Sequence, residues 1–226
     1  MTVILISKDI STRFGPARDQ GDRPTCLAFA VSDTHAALRD PWNELSAEYI
    51  FYYTQKNANL PLTAGAMLLD MLIALETNGQ PHEHRWTYSK TLPADLSRWA
   101  PPIGVLVFRR ISEVVSTTVD KIIECLDTGS PVVLLINLSP DFFNVQGEMI
   151  DLSHISPPDP NRRHAVVAVA HGKASGQRII RIRNSWGDTW GNEGYVWLTE
   201  NFLVSSLFGI ALLKEDPDVS PGFAAA

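Results

Sequence analysis

A thiol and an imidazole are the side chains of this sequence best suited to covalent chemistry. Cys26 follows the polar run from Gln20 to Thr25 and stands at the predicted start of a helix. The unpaired N–H groups at a helix N-terminus favour an anion and lower a cysteine pKa. A thiolate nucleophile also needs a base and a group that orients the base. His164, at the mouth of a Val-rich strand, and Asn184, just after the next strand, have the right chemistry for these two tasks.

The second thiol is interpreted differently. Cys125 lies within the helical pattern of residues 119–127, on the face that is predicted to be buried. A cysteine in that setting behaves as a small hydrophobic residue. The sequence therefore predicts one reactive cysteine, Cys26, and one packing cysteine.

Four segments of the chain resemble, in the same order, segments of papain-like cysteine peptidases. They are Gln20–Phe29, Asp141–Met149, His164–Gly172 and Asn184–Tyr195. The last segment is the most specific, because it holds two Trp-Gly pairs and a Gly-Tyr at fixed spacing. The separation of Cys26 from His164 lies within the window of about 130–150 residues for such enzymes, and that from Asn184 lies just beyond it.

The resemblance implies a role for each matching residue. Cys26 is expected to be the nucleophile, and His164 is expected to pair with it as an imidazolium and to protonate the leaving amine. Asn184 is expected to hold the imidazole ring through its side-chain oxygen. Gln20 and the backbone N–H of Cys26 are expected to form the oxyanion hole, where fixed donors meet developing negative charge. No metal or cofactor is expected.

Further positions are implied around this centre. Trp186 is expected to shield the contact between Asn184 and His164, and Trp190 is expected to line the leaving-group side. Gly65, with Ala64 in place of a second glycine, is expected to contribute to the backbone strip that pairs with the substrate. The resemblance thus predicts a peptide-binding groove next to the nucleophile.

Three further positions depart from the family pattern. Leu27 replaces the tryptophan that usually follows the nucleophile, and Arg23 replaces a cysteine that usually forms a disulfide. Arg163 replaces an Asp or Asn before the histidine. A cation there disfavours an imidazolium, or recruits an acidic substrate side chain, so Arg163 is a candidate substrate-binding residue.

The order of the elements indicates an α+β fold. Helical patterns occur first, at residues 26–40, 46–55 and 65–78, and Val/Ile-rich strands follow at 131–138, 165–171, 178–183 and 195–198. A short strand at 3–6 and another at 104–108 are also predicted. The third helix is apolar over most of its surface and is predicted to be buried, with Met67 and Met71 as core residues. The alternating arginines Arg178, Arg181 and Arg183 are interpreted as a solvated strand face.

The predicted domain organisation is a single catalytic domain, residues 1–226, with the two-lobe papain-like fold. A helical lobe spans about 20–100, and a β-rich, β-barrel-like lobe spans about 101–216 together with the N-terminal strand. Residues 217–226 are expected to form a tail. The active site is expected in the cleft between the lobes, where ligand sites are common.

Composition excludes several classes of protein. The 226 residues are 45% hydrophobic, which suffices for a core, and the net charge of −6 argues against a nucleic-acid partner. No apolar run approaches the ~18 residues of a membrane helix, and no signal peptide is recognised. The two cysteines do not form a disulfide framework, which predicts a cytoplasmic, reducing environment. The run His82-Glu83-His84 is interpreted as a solvated loop, since zinc sites need three or four ligands.

The predicted function is a cysteine endopeptidase that acts on a protein substrate. Two alternatives stay open: a thiol acyl-transfer enzyme on the same scaffold, such as a deamidase or transglutaminase-like enzyme, and a catalytically dead binding module. Only 19 residues precede Gln20, too few for a helical inhibitory pro-segment, so either the sequence is a piece of a longer protein or its activity is restrained in another way. For the second case we expect a bacterial toxin or effector, delivered into the cytosol of a target cell and neutralised in its producer by a dedicated inhibitor, or immunity, protein.

Overall fold

Helices dominate the first half of the chain and strands dominate the second half. The computed structural model describes residues 3–96, 99–143, 145, 149–150, 157–214 and 216. The helices are α1 (Cys26–Ala37), α2 (Ala47–Ala58), α3 (Leu68–Thr77), α4 (Val119–Asp127) and α5 (Glu200–Ser206). The strands are β1 (Ile4–Asp9), β2 (Ser112–Val114), β3 (Val132–Leu138), β4 (Met149–Ile150), β5 (Asp159–Ala174), β6 (Gln177–Arg183), β7 (Tyr195–Thr199) and β8 (Leu207–Leu213).

This arrangement confirms the predicted α+β class and its two lobes. The limits of a single domain at 1–226 stay a prediction, and the expected tail at 217–226 lies outside the described residues. Among the described residues, no helix combines the length and the apolar character needed to cross a membrane. The same residues include no group of three or more His, Cys, Asp or Glu side chains placed to hold a metal ion.

Helix α1 lies at the centre of the molecule. Every residue of α1 after Cys26 is buried, because the helix packs against β3 and β5 on one side and against α2 and α3 on the other. It ends at Ala37, before the predicted limit at Asp40-Pro41, where the N–H groups of Leu38 and Arg39 bond to the carbonyls three residues back, those of His35 and Ala36. Burial on all sides holds the N-terminus of α1, and therefore Cys26, in one place.

Helix α3 corrects one sequence prediction. Met71 and Leu75 are fully buried, as expected for core residues. Met67, Leu69 and Ile73, however, are each more than half exposed. The helix is covered on only one side, so its apolar composition overstated its burial.

One long strand organises the sheet. The strand order is β2-β8-β3-β5-β6-β7-β4, and β1 pairs with β5 outside that path. The first part of β5 pairs with β3, from Asp159 to Ala168, and the rest pairs with β6 and β1. A strand that changes partners along its length curls the sheet, which gives the β-barrel-like lobe. His164 lies opposite Ile136 on β3, within this curl.

The arginines of β6 are not a solvated face, and that prediction was wrong. Arg183 is 1% exposed. Its Nε donates to Asp33 of α1 at 2.7 Å, and its Nη groups donate to backbone carbonyls of the segment before α1. Arg178 pairs with Glu200 and Asp120, and Arg181 pairs with Asp9. The N-terminal segment and α1 cover part of the strand, so Arg183 joins the lobes instead of facing water.

Four elements were not predicted, and one predicted strand is absent from the described residues. The unpredicted elements are β2, β4, α5 and β8. Thr199 ends β7 and caps α5 at once, accepting the Phe202 N–H at 3.3 Å, so no loop separates them. Near the predicted strand at 104–108, only Phe108 forms a bridge, with Gln80.

Candidate active site

A cleft of about 570 Å³ brings together most of the predicted site residues. Cys26 enters it from the start of α1, and His164 enters it from β5. Gln20, Gly65, Arg163 and Trp186 also line it. The cleft walls come from both lobes, as expected.

Ala64 does not line this cleft. Its carbonyl instead accepts a hydrogen bond from Gln55 Nε2 at 2.9 Å, and the wall continues from Gly65 to Leu68. The strip of backbone on this side therefore begins at Gly65.

Cys26 is half-buried at the N-terminus of α1. The surrounding protein raises the pKa of the Cys26 thiol, and the backbone N–H groups of Ala165, Leu27 and Cys26 offset part of this rise. The net direction is opposite to the one that a helix N-terminus alone predicts, because burial outweighs the N–H groups.

The hydrogen bonds around Asn184 determine which nitrogen of His164 carries a proton. Asn184 Oδ1 lies 2.8 Å from the backbone N–H of Ser185 and 2.7 Å from His164 Nε2. A backbone N–H can only donate, so the side-chain atom facing it must be the oxygen. His164 Nε2 must then donate to the same oxygen. The imidazole consequently keeps its lone pair at Nδ1, where it can accept a proton.

Burial also affects the charge of the imidazole. His164 is 6% exposed, and this burial lowers the pKa of His164 to about 4, although the bond to Asn184 raises it in part. Burial, and not the neighbouring Arg163, accounts for this shift. Burial therefore acts on both groups in the direction that disfavours the expected ion pair.

Aromatic rings cover the imidazole. The ring centroid of Trp186 lies 4.8 Å from that of His164, which places Trp186 where shielding was expected. Trp190 is buried behind Trp186 and is not among the residues that line the cleft, so its place on the leaving-group side stays a prediction. Its indole N–H donates to the carbonyl of Phe142 at 3.0 Å.

Phe142 was missed among the site residues, although it lies in the matching segment Asp141–Met149. It is fully buried, and its ring contacts His164, Trp186 and Trp190 at centroid distances of 5.0–6.0 Å. The resemblance of the segment Asp141–Met149 to papain-like peptidases was the only sequence feature that could have indicated Phe142. Phe142 supports the ring stack from below.

The side chain of Gln20 is held at both ends. Its Nε2 donates to the carbonyl of Arg23 at 2.8 Å, and its Oε1 accepts from Ser185 Oγ at 2.7 Å. The amide nitrogen carries two hydrogens, so one N–H remains for a ligand in the cleft. Gln20 lines the same cleft as Cys26, so this N–H is a candidate donor there.

Ser185 is a second site residue that sequence reasoning missed. Its N–H donates to Asn184, its hydroxyl donates to Gln20, and its carbonyl accepts from the Gln20 N–H at 2.9 Å. Ser185 therefore connects the group that holds the histidine to the candidate oxyanion donor. Its place directly after Asn184 was the only sequence signal.

A buried ion pair occupies the position where the family pattern has a disulfide cysteine. Arg23 Nη1 lies 2.6 Å from Glu48 Oε2 of α2 and 2.6 Å from the carbonyl of Ser89. Its guanidinium also lies over the ring of Tyr88, 4.9 Å from the centroid. Both charged side chains are nearly inaccessible, so the loop before Cys26 is fastened to α2 by charge and not by sulfur.

Comparison with known proteins shows the family of the chain. A family model described as papain family cysteine protease matches residues 8–209. Probable cysteine protease RDL6 of Arabidopsis thaliana is 44% identical over 208 residues, which cover 88% of this chain and 56% of that protein. The chain thus spans about half the length of this curated relative.

Solved structures share the fold. Xylellain, a cysteine protease from Xylella fastidiosa, superposes with a TM-score of 0.73 at 25% identity, covering 92% of this chain and 85% of that one. Digestive procathepsin L 3 of the Tenebrio molitor larval midgut superposes with a TM-score of 0.72 at 16% identity, covering 92% and 69%. With the family model matching most of its length, the chain belongs to the papain family of cysteine proteases.

Proposed function

We propose that this protein is a cysteine endopeptidase in which Cys26, His164 and Asn184 carry out peptide-bond hydrolysis. The observation that supports the proposal most directly is the hydrogen bond from His164 Nε2 to an Asn184 oxygen that also accepts the Ser185 N–H. This bond leaves His164 Nδ1 as a base in the cleft that Cys26 lines.

The first half of the reaction follows from these atoms. The thiol proton of Cys26 passes to His164 Nδ1, and Sγ attacks the carbonyl carbon of the scissile peptide bond. The new oxyanion is stabilised by the free N–H of Gln20 Nε2 and by the backbone N–H of Cys26. When the C–N bond breaks, the amine takes the proton from His164 Nδ1 and leaves, so an acyl thioester remains on Cys26.

Water completes the cycle. His164 Nδ1 takes a proton from water while the water oxygen attacks the thioester carbonyl. The C–S bond breaks, the new carboxyl group leaves, and the proton returns from His164 to Sγ. The enzyme is restored without a cofactor.

The burial of the pair suits this sequence of steps. A neutral imidazole is the form that can accept the thiol proton, and the low pKa of His164 keeps it neutral. The indole of Trp186 excludes water from one side of the ring, which strengthens the bond between His164 and Asn184.

The test compares new protein N-termini in a lysate treated with wild type or with Cys26→Ala. We expect termini that appear only with wild type and with the matched control Cys125→Ala, because Cys125 is a packing residue. Equal termini in all samples would reject the peptidase. Conversion of side-chain amides without new termini would instead support a deamidase or transferase on this scaffold, and neither change with a folded protein would support a binding module.

A role as a delivered toxin or effector, neutralised by an inhibitor protein, stays a prediction. It is tested by the growth of cells that express wild type or Cys26→Ala in the cytoplasm. Growth arrest with wild type alone would support it, and equal growth at equal levels of soluble protein would argue against it.

A further inference from the structure

Two adjacent arginines stand on the β-lobe side of the cleft, directly before His164. Arg162 and Arg163 are both exposed and both line the cleft. The guanidinium carbon of Arg163 lies 5.4 Å from the ring centroid of Phe208, and that of Arg162 lies 5.6 Å from the ring centroid of Phe143. A ring beneath a guanidinium restricts its motion, so each cation is held at the edge of the cleft.

The two arginines differ in how well their charge is matched. Arg162 is 3.5 Å from a carboxylate oxygen of Asp159. Arg163 donates its Nε to the carbonyl of Pro160 at 3.3 Å, and within the described part of the chain no carboxylate pairs with it. Its two Nη groups can therefore serve a ligand. A guanidinium binds a carboxylate through two parallel N–H donors.

Among the charged residues that line the cleft, Arg163 is the one on the β-lobe side without a paired carboxylate in the described residues. Arg23 also lines the cleft, but Glu48 neutralises it. Asp22 belongs to the loop before α1, on the helical-lobe side. The protein as a whole carries a net charge of −6, so an unmatched cation beside His164 runs against the overall balance.

The ring beneath Arg163 belongs to an apolar part of the cleft. Phe208 is 40% exposed, and Leu135 lies next to it because it pairs with Gly209 across β3 and β8. Met67, on the opposite lobe, lines the same cleft and is 58% exposed. Apolar surface of this extent at a cleft suits the methylene groups of a substrate side chain.

We propose that Arg163 is a specificity-determining residue that selects protein substrates with an Asp or Glu side chain in the position bound over Phe208. The methylene groups of that side chain contact the apolar wall, and the carboxylate accepts hydrogen bonds from the Nη groups of Arg163. The proposal deepens the proposed function, on which it rests.

The test uses pairs of peptides that differ only by Glu or Gln at one position, scanned across a cleaved sequence. Wild type is expected to prefer Glu at one position by a factor of about ten in kcat/KM, because hydrogen bonds to charged groups are the stronger ones. Arg163→Ala is expected to bring this ratio close to one, and Arg163→Glu is expected to favour Lys at the same position. The preference should weaken at high salt, since the guanidinium is exposed.

A matched control is Arg181→Ala, which removes one positive charge away from the cleft and should keep the wild-type ratio. Equal cleavage of Glu and Gln peptides at every position by wild type would overturn the proposal and leave the peptidase intact, as would an unchanged preference in Arg163→Ala.

A binding measurement separates the two proposals if wild type cleaves no peptide. In that case the peptidase fails, and Cys26→Ala is compared with Cys26→Ala/Arg163→Ala for binding of a random peptide library with central Glu or Gln. Retention of Glu peptides by the first protein alone would support the arginine site. Equal retention by both proteins would reject it.

Discussion

Replacing Ser185 by alanine tests whether the candidate oxyanion donor is positioned from the histidine side of the site. The substitution removes the 2.7 Å hydrogen bond from Ser185 Oγ to Gln20 Oε1 and leaves the backbone bond to Asn184 in place. Gln20 is 6% exposed, so its oxygen becomes a buried acceptor without a partner. Such a loss costs about 1–3 kcal/mol, which corresponds to roughly 5- to 150-fold.

The loss of this hydrogen bond should lower the rate of the acylation step. The Gln20 amide, then held only by the Arg23 carbonyl, turns to find a new donor and presents its N–H less often to the oxyanion. We expect kcat/KM for a peptide substrate to fall by about 5- to 150-fold, at most the loss of about 10²–10³ for removal of a whole donor. Single-turnover kinetics on a cleaved peptide measures this step.

A double-mutant cycle with Gln20→Ala decides whether Ser185 acts through Gln20. If it does, Ser185→Ala should cost almost nothing in the Gln20→Ala background. An equal loss in both backgrounds would refute the reasoning. Ser205→Ala is the matched control, because it removes an exposed serine hydroxyl bond at 3.1 Å, away from the site.

Three further predictions concern charge in the site. The value of kcat/KM should rise with pH through about 4, because the imidazole of His164 loses its proton there. It should fall only above the usual pKa range of a thiol, because the pKa of Cys26 is raised. A rise near the ordinary pKa of histidine would contradict this prediction. Asn184→Ala should lower kcat/KM and move the acid limb to lower pH, because the bond to Asn184 raises the pKa of His164; an acid limb that moves upward would show that this bond does not act as described. Glu48→Gln should reduce the free energy of unfolding by about 3–5 kcal/mol, measured by urea titration, since it leaves Arg23 buried without its counter-charge; a stability within error of wild type would mean that the pair is not buried in solution.

The sequence was most informative where chemistry restricts residue type. The sequence singled out Cys26, His164, Asn184 and Gln20 because few side chains can supply a thiol, an imidazole and amide donors. The structure brings Cys26, His164 and Gln20 to one cleft and bonds Asn184 to His164, and their catalytic roles stay a prediction. Ser185 was missed because a serine next to a predicted site residue has no distinctive feature in the sequence. Its role becomes visible only from its three hydrogen bonds in the structure.

Burial was harder to predict than chemistry. The alternating pattern along β6 indicated which residues share a face of the strand but not what covers that face. Arg183 was therefore predicted to be solvent-exposed, whereas it is buried and binds Asp33 of a helix distant in sequence. The direction of the Cys26 pKa was missed for the same reason. A helix N-terminus is visible in the sequence, whereas the protein packed around a thiol depends on both lobes.

The ion pair between Arg23 and Glu48 also determines how the protein responds to a reducing agent. Thiol enzymes are commonly handled with an added reductant, which restores an oxidised nucleophile but can also open a structural disulfide. In this chain the loop before the nucleophile is held by an arginine and a glutamate, which a reductant cannot cleave. Dithiothreitol can therefore be used at any concentration that keeps Cys26 active, with no loss of the fastening that positions it.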